Sequence, residues 1–207
     1  MQRLWQTGAL RSRPFFGLVI MSRSGFLALA LLAAVAVARA DSFDDEVTLC
    51  SACHGEEGKP IDGATPIIWG QNAGYLYLQL RDFQKGARKD DRMSPVVETL
   101  PKDDLLKLAE YFSQKPWPNL AQPSASKADQ ATAVRANSSI GCTGCHRDDY
   151  VGDASVPRTA DQQHDYLLKT MMDFRSHARA NNPGMTDLMI AATPDELAAM
   201  ANYLAGL

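Results

Sequence analysis

The sequence predicts an all-α protein made of two tandem helical domains. Landmarks of the first half recur in the same order in the second half, at an offset of 91 to 92 residues. Apolar residues recur at helical spacing in both halves, and no alternating strand pattern stands out. A Cys-x-x-Cys-His motif also occurs once in each half. Matched landmarks in one order indicate two copies of one domain.

The first 40 residues are expected to be a secretory signal peptide that is removed. They contain five Arg and no Asp or Glu, and an apolar run from Gly25 to Val37 precedes Ala38-Arg39-Ala40, an A-x-A cleavage site. The run is short for a membrane span, which needs about 20 residues, so an uncleaved anchor is only the alternative. Translation from Met21 instead of Met1 would start a more ordinary signal. Export predicts a periplasmic protein.

The mature chain is expected to comprise an N-terminal domain over 41–115, a proline-rich linker over 116–124 and a C-terminal domain over 125–207. Three Pro between 116 and 124 favour a stiff, extended connector. Each domain has about 80 residues, and the hydrophobic core of so small a domain gives only marginal stability without a cross-link or a bound group. A covalently held cofactor would add that stability.

Each domain is expected to hold three main helices. In the first domain they cover Phe43–Leu49, the segment between Asn72 and Gly86, and a segment opened by Pro101 with acidic residues in its first turn. In the second domain they cover Lys127–Ser138, His164–Ser176 and Pro194–Leu204. The segments between the second and third helices of each domain are expected to be loops.

The Cys-x-x-Cys-His motif is the attachment signature of c-type haem. Two thiols add across the vinyl groups of haem, and the following His is placed to bind the iron. The two motifs use all four Cys of the chain. The sequence therefore predicts two haems c, attached through Cys50, Cys53, Cys142 and Cys145, with His54 and His146 as axial iron ligands.

A C-x-x-C pair can also belong to a zinc site or to a thioredoxin-like redox pair. Zinc-ribbon pairs usually lie much closer than the 92 residues from Cys50 to Cys142. A redox pair has no need of a His directly after the second Cys in both copies. Haem is therefore the favoured interpretation.

Met93 and Met185 are the candidates for the second axial position of the two irons. Each lies 43 residues after the first Cys of its motif. A Met in this position gives an electron-transfer centre with a raised potential, whereas an open position binds small molecules. Met189 competes with Met185. Alignment from the downstream Pro194 is one residue off, so this segment carries an insertion.

Further matched residues have open roles. Arg88 matches Arg179, and the two either pair with haem propionates or remain solvated. Tyr75 matches Tyr166, and both could pack at a haem edge or donate to a propionate. Pro66 and Gln71 likewise match Pro157 and Gln162.

The mature chain is acidic, with 16 Lys and Arg (21 minus five in the signal) against 24 Asp and Glu. Its formal charge of −8 argues against nucleic-acid binding, which needs basic patches. It favours a partner with a basic docking face, since complementary fields speed encounter. The alternative is that the charge only keeps the protein soluble.

The first half carries a longer set of marks: Gly55-x-x-Gly58, Pro66, Gly70-Gln71, Tyr75-Leu76, Gln79-Leu80, Phe83, Gly86, Arg88 and Met93-x-Pro95. Together these residues resemble the dihaem cytochrome c4 family, over nearly all of the mature chain. The second half keeps fewer marks: Arg158-Thr159 replaces Ile67-Ile68, Asp161 replaces Gly70, and Met185 lacks the following proline.

The resemblance implies two cytochrome c-like domains with His/Met-ligated irons, in an electron carrier and not an enzyme. Its partners would be redox proteins such as a terminal oxidase, a cytochrome complex or a dehydrogenase. The mature protein is expected to be soluble, with membrane association as the alternative. A second interpretation is the dihaem subunit of a dehydrogenase such as flavocytochrome c sulfide dehydrogenase. A dihaem peroxidase is disfavoured because it needs one openable haem, and a Cys-ligated haem enzyme would need a spare Cys.

Overall fold

The computed structural model describes residues 43–207. Within this range the regular structure is helical, apart from an isolated antiparallel bridge between Asp153 and Val156. The all-α prediction is therefore confirmed. The expected signal peptide lies outside the described residues. Among the helices from residue 43 onward, none has the length and apolar character required to span a bilayer.

The first half, residues 43–115, contains four helices: α1 over 43–54, α2 over Ala73–Gln84, α3 over Met93–Val97 and α4 over Lys102–Ser113. The second half, residues 125–207, contains five: α5 over Lys127–Ile140, α6 over Thr143–His146, α7 over His164–Arg175, α8 over Pro183–Ala191 and α9 over Pro194–Ala205. The halves differ in helix number because the chain follows different paths at the two Cys-x-x-Cys-His motifs. Helix α1 continues through it, whereas Gly141 at φ 82° separates α5 from α6.

The main helices follow the predicted segments closely. The prediction that Met93 and Met185 lie in loops was wrong. Met93 begins α3, and Met185 lies in the first turn of α8. Asn182 caps α8 by accepting a hydrogen bond from the Met185 N–H, and Pro183 occupies the first helical position. These short polar and Pro-containing segments resemble loops in sequence, yet a single cap is enough to start a helix there.

The hydrophobic core consists of two clusters, one in each half. In the first half α2 packs on α4 around Leu76, Leu108 and Phe112. In the second half α9 packs on α5 and α7 around a larger set that includes Leu197 and Leu204. Residues 43–207 nevertheless form one compact unit, and the division into two domains with its boundaries stays a prediction.

Two backbone positions with positive φ recur at matched places in the halves. Gly70 has φ 66° and its counterpart Asp161 has φ 57°, while Gly86 has φ 70° and its counterpart His177 has φ 62°. The second half thus retains the backbone path of the first although it lacks the glycines that make this path easy.

Candidate haem sites

The two predicted axial histidines are buried and held in the same way. His54 and His146 are 6% and 8% exposed. The Nδ1 of His54 lies 2.8 Å from the Pro66 carbonyl oxygen, and the Nδ1 of His146 lies 3.0 Å from that of Pro157. A carbonyl oxygen can only accept, so Nδ1 carries the hydrogen and Nε2 keeps its lone pair. Burial lowers the pKa of both rings, so each is a neutral imidazole suited to bind a metal through Nε2.

The four cysteines lie beside these histidines, and none of them forms a disulfide within residues 43–207. Cys53 and Cys145 are exposed, whereas Cys50 and Cys142 are half-buried. Burial, together with the charge of Glu46, raises the pKa of the Cys50 thiol to about 11. Among residues 43–207, no three His, Cys, Asp or Glu side chains come together to hold a metal.

Met93 and Met185 occupy equivalent, half-buried positions. The Met93 N–H donates to the Asp90 carboxylate at 3.0 Å, and the Met185 N–H donates to the Asn182 side-chain oxygen at 3.1 Å. Sequence reasoning missed both caps, although Asp90 and Asn182 are separated by the same 92 residues as the motifs. The competitor Met189 is 3% exposed and packs in the core of the second half.

A connected cavity of about 520 Å³ brings the predicted ligands of both halves together. Its wall contains both histidines, all four cysteines, Met93, Met185 and the competitor Met189. Apolar side chains from the two cores supply much of the remaining surface, among them Leu108, Phe112, Phe174 and Leu204. A flat apolar ring system with a metal at its centre suits such a lining.

A cationic cluster lies in the same wall, where the halves meet. The Arg88 guanidinium donates to the Tyr166 hydroxyl at 3.2 Å, and the Arg179 guanidinium lies 3.4 Å from the Tyr75 hydroxyl. Both guanidiniums also donate to the side-chain oxygen of Gln79, at 3.0 and 2.8 Å. Each arginine thus contacts a tyrosine of the other half. The alternative that these two side chains remain solvated is therefore not what the structure shows.

This cluster carries a surplus of positive charge. Burial opposes ionisation of the Tyr166 phenol, but the two guanidiniums outweigh it and lower its pKa to about 7. Arg179 is 7% exposed, and its Nη1 is buried with no hydrogen-bond partner among the described residues. Carboxylates such as haem propionates would satisfy both features. The cluster, the apolar cavity and the neutral histidines therefore fit haem.

No protein-family model matches the chain, but individual proteins do. The cytochrome c4 of Thiocapsa roseopersicina is 34% identical over 168 residues, which cover 77% of this chain and 87% of that relative. The thiosulfate dehydrogenase electron acceptor of Stutzerimonas stutzeri is 30% identical over 169 residues, covering 76% of this chain and 78% of that relative.

Solved structures agree with these matches. The reduced recombinant cytochrome c4 of Pseudomonas stutzeri superimposes with a TM-score of 0.70 at 27% identity. The match covers 81% of this chain and 97% of that structure. The fold and the sequence thus point to the same group of proteins.

Proposed function

The chain belongs to the cytochrome c4 family, a group of dihaem electron carriers and not enzymes, and we propose that His54 and Met93 ligate the first haem iron and His146 and Met185 the second. The observation that carries this assignment is the repetition of the site. Each His is buried against a proline carbonyl, and the N–H of each Met donates to the side chain three positions before it.

The two haems c, when bound, gain and lose single electrons. The protein's residues set the conditions for that exchange. The four Cys hold the groups in place, and the apolar cavity wall excludes water. The proline carbonyls orient the imidazoles and raise their basicity as ligands. The Met thioethers would occupy the position of each iron at which small molecules could otherwise bind.

We further propose that the protein acts in the periplasm, after removal of residues 1–40, and passes electrons between respiratory redox proteins. The Arg-rich, acid-free leader supports export. The charge of −8 on the mature chain supports partners with basic docking faces. The proposed domains, 41–115 and 125–207, correspond to one haem each.

A second candidate is an electron acceptor dedicated to one dehydrogenase. The relative from Stutzerimonas stutzeri that accepts electrons from thiosulfate dehydrogenase supports this alternative. Reduction of the purified protein by such an enzyme with thiosulfate, at a rate that rises with cytochrome concentration, would favour the dedicated role.

The ligand assignment is tested with the purified, dithionite-reduced protein, with and without carbon monoxide, and a haem count per chain. Two haems and no spectral change are expected, because both irons hold strong sixth ligands. Met93→Ala and Met185→Ala should each make one haem bind carbon monoxide. Met189→Ala is the matched control and should leave both haems closed. A spectral shift with carbon monoxide at neutral pH in the unmodified protein, or in the Met189→Ala control, contradicts the assignment.

A further inference from the structure

Two buried glutamines at matched positions each bind the backbone of the opposite half. Gln162 is 2% exposed, and its Oε1 accepts from the Ile67 N–H at 2.8 Å while its Nε2 donates to the Ile67 carbonyl at 2.9 Å. Gln71 is 3% exposed and makes the same pair of bonds with Arg158, at 2.8 and 2.9 Å. Each amide thus pairs with both polar groups of one residue.

The residues that they hold stand directly after the prolines that orient the axial histidines. The N–H of Ile67 and the carbonyl of Pro66 belong to the same planar peptide unit. His54 therefore donates to one side of this peptide, and Gln162 accepts from its other side. In the second half, His146 and Gln71 bind the two sides of the peptide between Pro157 and Arg158.

A hydrogen bond at the N–H of a peptide polarises its carbonyl and makes the carbonyl oxygen a better acceptor. A stronger acceptor draws the Nδ1 hydrogen and raises the basicity of a metal-bound imidazole. Loss of the glutamine removes this polarisation and also lets the peptide rotate. Both effects weaken the imidazole as a ligand of the oxidised iron, so the potential of that haem rises.

We propose that Gln162 is a positioning residue for the first haem and Gln71 for the second, so that each half tunes the potential of the haem held by the other. This inference rests on the proposed axial role of His54 and His146.

The surrounding contacts keep the glutamines in this arrangement. The residues before them, Gly70 and Asp161, donate their N–H groups to α4 and α9, at 2.9 and 2.8 Å. The boundary itself is reciprocal, since the Tyr75 N–H donates to Ala154 of the second half and the Tyr166 N–H donates to Gly63 of the first. The crossed glutamines are therefore part of a repeated interface.

The test measures the midpoint potential of each haem in the full dihaem protein carrying Gln162→Leu or Gln71→Leu. NMR signals of the haem methyl groups are assigned to each half through the cavity-lining side chains, such as Phe112 in the first half and Leu204 in the second. Gln162→Leu should raise the potential of the first haem, changing its ratio of reduced to oxidised form about two- to tenfold at a fixed poise, as expected for a weakened hydrogen bond. Gln71→Leu should do the same to the second haem.

Gln163→Ala is the matched control. Its Nε2 also crosses the boundary, to the Asp62 carbonyl at 3.4 Å, but it makes no hydrogen bond to the Pro66–Ile67 peptide. Both potentials should stay unchanged in this variant. Gln162→Glu, whose carboxyl group burial keeps protonated, retains an acceptor for the Ile67 N–H and a donor for the Ile67 carbonyl and should return the first potential to the wild-type value.

The inference is overturned if the leucine variants shift neither haem, shift the haem of their own half, or shift both equally. It is also overturned if Gln162→Glu reproduces Gln162→Leu in sign and size. A wild-type protein without two haems, or with histidines not bound to iron, would instead refute the function on which the inference rests.

Discussion

Asp90→Ala should loosen Met93 and open the first haem to carbon monoxide. The Asp90 carboxylate accepts hydrogen bonds from the N–H groups of both Arg92 and Met93, each at 3.0 Å. These bonds fix the first turn of α3, which begins at Met93. Alanine removes both acceptors, so the segment can move away from the iron that Met93 is proposed to ligate.

The size of the effect follows from the number of bonds lost. Loss of a capping side chain costs about 0.5–2 kcal/mol, and two bonds place Asp90→Ala at about 1–2 kcal/mol. That free energy corresponds to a roughly 5- to 30-fold larger fraction of molecules in which Met93 is detached. Asn182→Ala loses one bond to Met185 and should raise the open fraction of the second haem by a smaller factor.

The assay is the rate of carbon monoxide binding to the reduced protein, which is proportional to the open fraction. Asp90→Asn is the control, because Asn182 already serves as a cap in the second half, and it should bind carbon monoxide more slowly than Asp90→Ala. An unchanged rate in Asp90→Ala, or faster binding at the second haem alone, would show that the cap does not hold the methionine.

The same carboxylate predicts a pH dependence. Burial raises the pKa of Asp90, but the N–H groups of Met93 and Arg92 outweigh burial and hold that pKa below the ordinary 3.8. Above pH 3.8 the carboxylate is therefore ionised and accepts both hydrogen bonds. Carbon monoxide binding should accelerate as the pH falls through the pKa of Asp90 in the folded protein, and Asp90→Asn should not show this acceleration. The exposed His177 has φ 62°, so His177→Gly should raise the free energy of unfolding in urea by about 0.5–1 kcal/mol. Gly86→Ala should lower it by a similar amount, because Gly86 has φ 70°. A lower free energy of unfolding in His177→Gly would contradict backbone strain at His177. Cys53→Ala should impair attachment of the first haem only, and Cys145→Ala that of the second; a haem count of two in either variant would contradict the attachment sites.

Local patterns made much of the fold predictable. Apolar spacing and the opening Pro of the third helix located α2 and α4 to within a few residues, because helical periodicity is a property of neighbouring residues. The segments at Met93 and Met185 were expected to be loops. Their short helices depend on single caps, whose effect a periodic pattern cannot register.

The sequence by itself predicted two haems and proposed their attachment residues and histidines, since each motif is contiguous and its chemistry depends on spacing along the chain. It also showed that Arg88 matches Arg179 and that Gln71 matches Gln162, but it did not decide what these residues do. Only the tertiary structure decided that these side chains cross to the opposite half. Pairing between residues nearly 100 positions apart follows from how two helical halves pack, and a single sequence carries no local signal for that packing.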